Sequence, residues 1–216
     1  MIPLLFTLMG LGLILLVSEV LWQKNILRGE YGRKFVHIVT GCFIAFWPYY
    51  LTTHIITLLA VISLAAVLVV RFTKIVNSIH DIKRVTAGEY FYPLGLLFAA
   101  RFAHAHWIFT AALLFVALAD GMAAVIGKKW GTHQLPIKLF GLKKTYVGSI
   151  AYILFAYVSI GIAALLGGSV FMLHSFTVVY ILVPFVTVLI EAFSPFGLDN
   201  IIVPTLVVLV LNAVAK

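Results

Sequence analysis

Long, continuous apolar runs fill most of this 216-residue chain and leave little sequence between them. A helix of about 20 apolar residues crosses a bilayer, whereas membrane strands show alternating hydrophobicity, which these runs lack. We therefore predict an all-α, polytopic integral membrane protein with about eight transmembrane helices. Seven are possible because the fourth run is short. The predicted spans are approximately 2–22, 35–51, 54–72, 90–105, 107–127, 147–167, 173–191 and 200–215.

The composition excludes an ordinary soluble domain. Hydrophobic residues make up 63% of the chain and charged residues only 10%, whereas soluble domains carry about 25% charged residues. The length suits a single domain over 1–216. The first run is too long for a signal-peptide core and no Lys or Arg precedes it, so we interpret it as a span. The lone Cys42 excludes an intrachain disulfide.

The basic residues predict the orientation. The formal net charge is +8, and 13 of the 15 Lys and Arg residues fall in the loops 23–34, 71–89 and 128–146. Eight spans place these loops on one side, which the positive-inside rule makes cytoplasmic, with both termini outside. The charge is thus interpreted as a topology signal, and no nucleic-acid partner is expected.

The acidic residues show a second asymmetry. All seven fall in predicted cytoplasmic loops or in the cytoplasmic half of a predicted span. A transporter is expected to place ionisable groups near the midplane and to use both faces. One-sided polarity instead favours an enzyme that works at the cytoplasmic interface.

Asp120 lies inside an apolar run, about two helical turns before Lys128. A carboxylate at the centre of a bilayer costs roughly 3 kcal/mol on insertion scales, so its presence needs a reason. One reading is neutralisation by a Lys or Arg of a neighbouring helix, or simple protonation of the carboxylate. The functional reading is a metal-binding or proton-transfer carboxylate in a protein-lined cavity.

The stretch "KLFGLKKTYVGS" precedes the sixth predicted span. Hydroxyls and backbone amides at a helix start favour anions, which predicts a phosphate site. Lysines there can also simply reach lipid headgroups. The nearby "GMAAVIGKK" does not have the glycine spacing of a P-loop. The predicted nucleotide-binding residues in this part of the chain are Lys128, Lys143, Lys144, Thr145, Gly148 and Ser149.

Two further stretches carry candidate chemistry. In "YGRKFVHIVTG", Arg33 and Lys34 are either membrane anchors or phosphate ligands, and His37 is a candidate general base. In "EAFSPFGLDNIIVP", Asp199 and Asn200 either cap a helix or act with Glu191 and Asp120. Oxygen ligands of this kind suit a hard cation such as Mg²⁺.

Together, "RKFVH", "ADGMAAVIGKKWG", "KKTYVGS" and "LDNIIVP" resemble the CTP-dependent lipid-alcohol kinases, over about residues 30–205. This family includes dolichol kinase, phytol and farnesol kinases and the fungal-type CTP-dependent diacylglycerol kinase. Val147 stands where relatives commonly have Glu. The resemblance implies one membrane-embedded kinase domain that transfers the γ-phosphoryl of CTP to a lipid hydroxyl, with Mg²⁺ as cofactor.

The residues imply roles that agree with this resemblance. Catalytic candidates are Asp120, His37 and Lys144, and metal candidates are Asp120, Asp199 and Glu191. Nucleotide candidates beyond the lysine-rich loop are Arg33, Lys34 and Asn200. The partners are CTP, a membrane lipid alcohol and the bilayer. Phosphatidate cytidylyltransferases look similar around the middle motifs and stay an alternative, as does a transporter or scaffold. Oligomeric state stays open.

The topology can be tested with single cysteines in a Cys42→Ser background. We expect Ser78→Cys and His133→Cys to label only from the cytoplasmic side, because both lie in basic loops. Val170→Cys should label only from outside. Labelling of Ser78→Cys and Val170→Cys from the same side would contradict the eight-span arrangement.

Overall fold

The chain folds into helices. A computed structural model describes residues 2–73, 87–135, 144–167 and 174–215, and within these it describes the side chains of all residues except 70–73 and 174–178. These residues form eight helices and no named strand. The helices are α1 (Ile2–Gln23), α2 (Glu30–Ala45), α3 (Thr53–Thr73), α4 (Gly88–Phe102), α5 (His106–Trp130), α6 (Tyr146–Gly167), α7 (His174–Phe193) and α8 (Asp199–Val214).

The all-helical fold class is confirmed, and three described helices, α1, α5 and α6, are long and apolar enough to cross a membrane. The count of eight spans stays a prediction, because the other apolar stretches whose side chains are described, Thr53–Val69, Val179–Phe193 and Asp199–Val214, are shorter. The largest boundary difference is in α2, which begins at Glu30 rather than 35 and ends at Ala45 rather than 51. A 3-10 turn at Trp47–Tyr49 follows it, and Pro48 in that turn disfavours continuation of the helix.

Helix α5 is the centre of the bundle. It contacts α2, α4, α6 and α8, and 78% of its most apolar window is buried. Its first half, His106–Leu114, is apolar on every face, which is typical of a helix enclosed by protein. Asp120 lies farther along this same helix and therefore belongs to the best-enclosed element of the structure.

The middle of α5 is a π-helical segment, Phe115–Asp120. Such segments loosen the regular hydrogen-bond ladder and occur frequently at functional sites. Here the ring of His37 reaches across from α2, with Nε2 at 2.9 Å from the carbonyl oxygen of Val116. A carbonyl can only accept, so Nε2 carries the proton and Nδ1 is the basic nitrogen.

Glycines allow α5 to approach its neighbours closely. A Cβ atom added at Gly121 would clash with Ile38 of α2. One added at Gly127 would lie 2.8 Å from Oγ1 of Thr145 and 3.1 Å from Cα of Gly148. Small residues at helix contacts allow this kind of backbone approach in membrane proteins. The glycines thus hold α2 and the start of α6 against the end of α5.

This packing predicts that Gly121→Ala destabilises the protein. Overpacking of a tight contact typically costs about 1–3 kcal/mol, so we expect a lower midpoint of thermal unfolding in detergent. Gly161→Ala is the matched control, because a Cβ atom at Gly161 meets nothing within 4 Å. It should leave the midpoint unchanged or raise it. An equal effect of the two substitutions would contradict the close contact.

Candidate active site

A polar cavity of about 370 Å³ lies where the ends of several helices converge. The starts of α2, α6 and α8 and the ends of α5 and α7 surround it, so backbone termini and polar side chains meet at one place. Its size is that of a small-molecule site. Eleven predicted site residues line it: Arg33, Lys34, Asp120, Lys128, Lys144, Thr145, Gly148, Ser149, Glu191, Asp199 and Asn200.

Two predicted site residues are not among those that line the cavity. His37 lies behind Asp120, with Nε2 at 3.5 Å from Oδ2 of that carboxylate, and its ring packs edge-on against Tyr92. Lys143 lies outside the described residues. The predicted direct contact of His37 with a substrate is therefore less favoured by the structure than a role in holding Asp120.

Three carboxylates converge inside the cavity. Asp120 of α5, Glu191 of α7 and Asp199 of α8 are 7%, 3% and 7% exposed, and each offers one ligand oxygen within 4.8 Å of the other two. Three carboxylate oxygens so close together form the donor set that hard divalent cations prefer. Burial makes this arrangement unfavourable unless positive charge is close by.

Asn200 extends this oxygen-rich surface. Its Nδ2 donates to the carbonyl oxygen of Gly88 at 3.3 Å, which orients the amide. Its Oδ1 is buried and accepts no hydrogen bond from any described residue. A buried acceptor without a donor is costly. The three carboxylates and this amide oxygen therefore fit a divalent cation such as Mg²⁺.

Lys34 neutralises Asp120. Its Nζ lies 2.5 Å from Oδ2 of Asp120, and the lysine is only 5% exposed. This contact is the helix-to-helix pairing that the sequence analysis weighed against a functional role. It is compatible with that role, because a carboxylate has two oxygens and Asp120, Glu191 and Asp199 all line the cavity.

Lys144 neutralises Glu191 in the same way, through an ion pair from Nζ to Oε1. Burial disfavours its charged form, but Glu191, Asp199 and Asp120 outweigh this effect and raise the pKa of Lys144. Its backbone is held at the cavity because its carbonyl accepts the amide of Leu135 at 2.8 Å. Lys144 therefore stays protonated and places its positive charge beside the carboxylates.

Thr145 starts α6. Its Oγ1 accepts a hydrogen bond from the amide of Gly148 at 3.1 Å, which is the usual geometry of a helix cap. The sequence analysis treated backbone amides here as ligands for an anion. The amide of Gly148 is instead used by the cap, which leaves the hydroxyl of Thr145 and the side chain of Ser149 as donors at the cavity wall.

The cavity mouth carries two further cations. Arg33 pairs with Glu30, and Lys128 lies 4.6 Å from the centre of the Tyr31 ring. Burial would raise the pKa of Glu30, but Arg33 outweighs it and the pKa is lowered. The guanidinium of Arg33 is therefore held at the cavity wall beside a stable negative charge.

Three polar lining residues were not predicted: Glu30, Gln134 and Ser194. The spacing of Glu30 three residues before Arg33 was a usable signal, because such pairs share a helix face. Ser194 follows Glu191 by three residues and was equally accessible to this reasoning. Gln134 had no such signal, since it reaches the cavity through a backbone bridge to Thr145.

Comparison with curated proteins places the chain in a family. A phytol kinase of Synechocystis sp. is 31% identical over 209 residues, which cover 90% of this chain and 83% of that protein. The chain belongs to the phytol kinase family. This confirms the resemblance seen in the sequence motifs. The family and the apolar helices together indicate a membrane protein.

Two plant members of the family match less of the chain. Phytol kinase 1, chloroplastic, of Arabidopsis thaliana is 29% identical over 165 residues, covering 68% of this chain and 52% of that protein. Probable phytol kinase 2, chloroplastic, of Oryza sativa subsp. japonica is 27% identical over 165 residues, covering 69% and 53%. The chain thus spans about half the length of these plant relatives. No family profile and no solved structure matches it.

The buried pair of Lys34 and Asp120 predicts strong coupling in a double-mutant cycle. Removal of one partner of a buried ion pair typically costs about 3–5 kcal/mol, because the other charge is left uncompensated. We expect Lys34→Met to lower the free energy of unfolding in detergent, and Lys34→Met with Asp120→Asn to recover much of the loss. Additive effects of the two substitutions would contradict a direct pair.

Proposed function

We propose that this protein is a lipid-alcohol kinase that transfers the γ-phosphoryl of CTP to the hydroxyl of an isoprenoid alcohol of the phytol type. The observation that carries the proposal is the cluster of Asp120, Glu191 and Asp199 in a lysine-lined cavity. The names of the family relatives support a lipid alcohol as the acceptor. The choice of CTP rests on the motif resemblance alone.

The chemistry of the cavity suits phosphoryl transfer. This reaction depends mainly on positioning and on stabilising the negative charge that spreads over the phosphoryl oxygens. Bound by Asp120, Glu191 and Asp199, Mg²⁺ would supply much of that positive charge. The cationic side chains Lys34, Lys144 and Arg33 would bind the remaining phosphate oxygens, and the hydroxyls of Thr145 and Ser149 would donate to them.

The acceptor hydroxyl must lose a proton during the transfer. Asp199 lines the cavity and makes no ion pair within 4 Å with any described residue, unlike the other two carboxylates. His37 was the alternative base, but it lies behind Asp120 and does not line the cavity. We therefore assign the orientation of Asp120 to His37, and the proton-accepting role to the carboxylate oxygen of Asp199 that is not bound to the cation.

The distribution of charge supports a site at the cytoplasmic interface. All seven acidic residues and 13 of the 15 basic residues fall in predicted cytoplasmic loops or in the cytoplasmic halves of predicted spans. A lipid alcohol keeps its tail in the bilayer and brings its hydroxyl to this interface, while the triphosphate remains in water. A cavity at the helix ends suits this reaction, because the lipid hydroxyl and the triphosphate could both reach it.

The test uses purified protein with Mg²⁺, phytol and CTP labelled separately at the α or γ phosphorus. We expect γ-label in the lipid fraction and α-label in water as CDP. Farnesol, a polyprenol and diacylglycerol serve as competing acceptors. Label from the α position in lipid, with phosphatidate as acceptor, would contradict the kinase and indicate a cytidylyltransferase.

A matched pair of variants links this activity to the cavity. Asp120→Asn should reduce turnover by about a hundredfold, because a metal ligand acts mainly in the transition state. Glu19→Gln is the control, since Glu19 is also a carboxylate in an apolar helix but does not line the cavity. Equal turnover of the two variants would remove Asp120 from the site.

A further inference from the structure

Two lysines bond to the same carboxylates that would hold a divalent cation. Lys34 contacts Oδ2 of Asp120 at 2.5 Å, and Lys144 contacts Oε1 of Glu191. Asp199, the third member of the cluster, forms no ion pair within 4 Å with a described residue. Within this cluster the formal charges are therefore three negative and two positive, which leaves one net negative charge.

An ammonium group and a metal ion compete for such oxygens. Each takes up lone pairs of the carboxylate, and two cations within a few ångströms repel each other strongly in a poorly solvated cavity. With the lysines on Asp120 and Glu191, the cluster attracts a divalent cation only weakly. When a cation binds all three carboxylates, the ammonium groups lose their attractive partners and gain a repulsive neighbour.

The displaced lysines have an alternative partner in the same cavity. Both side chains line it, beside Arg33 and the hydroxyl of Thr145. A lysine has a flexible four-carbon stem and three donors, so its ammonium can turn without backbone movement. Phosphate oxygens of a bound triphosphate would offer the negative charge that the carboxylates no longer provide.

We propose that Lys34 and Lys144 exchange partners, from Asp120 and Glu191 before the cation binds to the phosphate oxygens of the nucleotide afterwards. This inference rests on the proposed function and adds a coupling to it. The cation releases the ammonium groups to bind phosphate, and the nucleotide draws them away from the carboxylates. Each ligand therefore raises the affinity of the site for the other. The exchange also keeps the buried carboxylates neutralised in both states.

The first arm of the test measures Mn²⁺ binding without nucleotide, from the electron paramagnetic resonance signal of free Mn²⁺. Lys34→Gln and Lys144→Gln should each tighten Mn²⁺ binding about tenfold, because one competing charge is removed. Lys34→Arg keeps the charge and should bind Mn²⁺ as the wild type does. Lys129→Gln is the control, since Lys129 is exposed and does not line the cavity.

The second arm measures equilibrium binding of radiolabelled CTP in excess Mg²⁺. The same two glutamine variants should bind CTP about tenfold more weakly, because each loses a charge-assisted bond to phosphate. Lys129→Gln should bind CTP normally. Opposite changes in the two arms support the exchange. Lys144 is partly exposed and is the variant to use if Lys34→Gln does not fold.

Other outcomes separate the exchange from the proposed function. Unchanged or weaker Mn²⁺ binding in the glutamine variants would overturn the exchange, as would tighter Mn²⁺ binding with unchanged CTP binding. Tighter Mn²⁺ binding with unchanged CTP binding would mean that the lysines serve only as counter-ions to the carboxylates. If Asp120→Asn leaves wild-type Mn²⁺ binding intact, the carboxylate cluster is not the cation site, and the proposed function loses its main support.

Discussion

The mutual repulsion of three buried carboxylates is the constraint on which the rest of the site depends. Asp120, Glu191 and Asp199 present oxygens within 4.8 Å of one another. Two unit charges at that distance repel by about 3 kcal/mol at an effective dielectric of about 20, and there are three such pairs. Nearby cations offset this cost, and Lys34 and Lys144 are placed to do so.

The positions of the three carboxylates on their helices explain why two of them are paired with lysines and the third is not. Asp199 opens α8, where the helix dipole favours negative charge, and it makes no ion pair within 4 Å with a described residue. Glu191 lies in the last turn of α7, where the dipole disfavours it, and it is paired with Lys144. Asp120 lies within α5 and takes its cation from α2.

The sequence was sufficient to predict the helices and most of the cavity wall. Apolar runs identify helices because the bilayer leaves few other solutions, and polar residues inside such runs stand out. A basic partner for Asp120 could be expected, but its identity as Lys34, 86 positions away, could not be predicted, because it depends on how α2 packs on α5. The π-helical turn and the position of His37 beside it depend on the same packing.

The local chemistry of Thr145 shows a different limit. Hydroxyls and amides at a helix start predict either an anion site or a cap, and only the bond from Gly148 distinguishes them. Likewise, Gly148 was predicted as a nucleotide-binding residue, and in the structure it and Gly127 also let α5 and α6 meet beside Thr145. Whether a residue serves as a ligand, a helix cap or a packing contact depends on the direction of its side chain, and the spacing of residues in the sequence does not give that direction.

The central claim is that the three carboxylates hold the divalent cation that serves the nucleotide. The most direct measurement is an anomalous difference map from crystals soaked in Mn²⁺ and CTP. The account predicts one strong peak bounded by Asp120, Glu191 and Asp199, with the triphosphate beside it. A peak elsewhere, or no peak in the cavity at a Mn²⁺ concentration that supports turnover, would contradict the account.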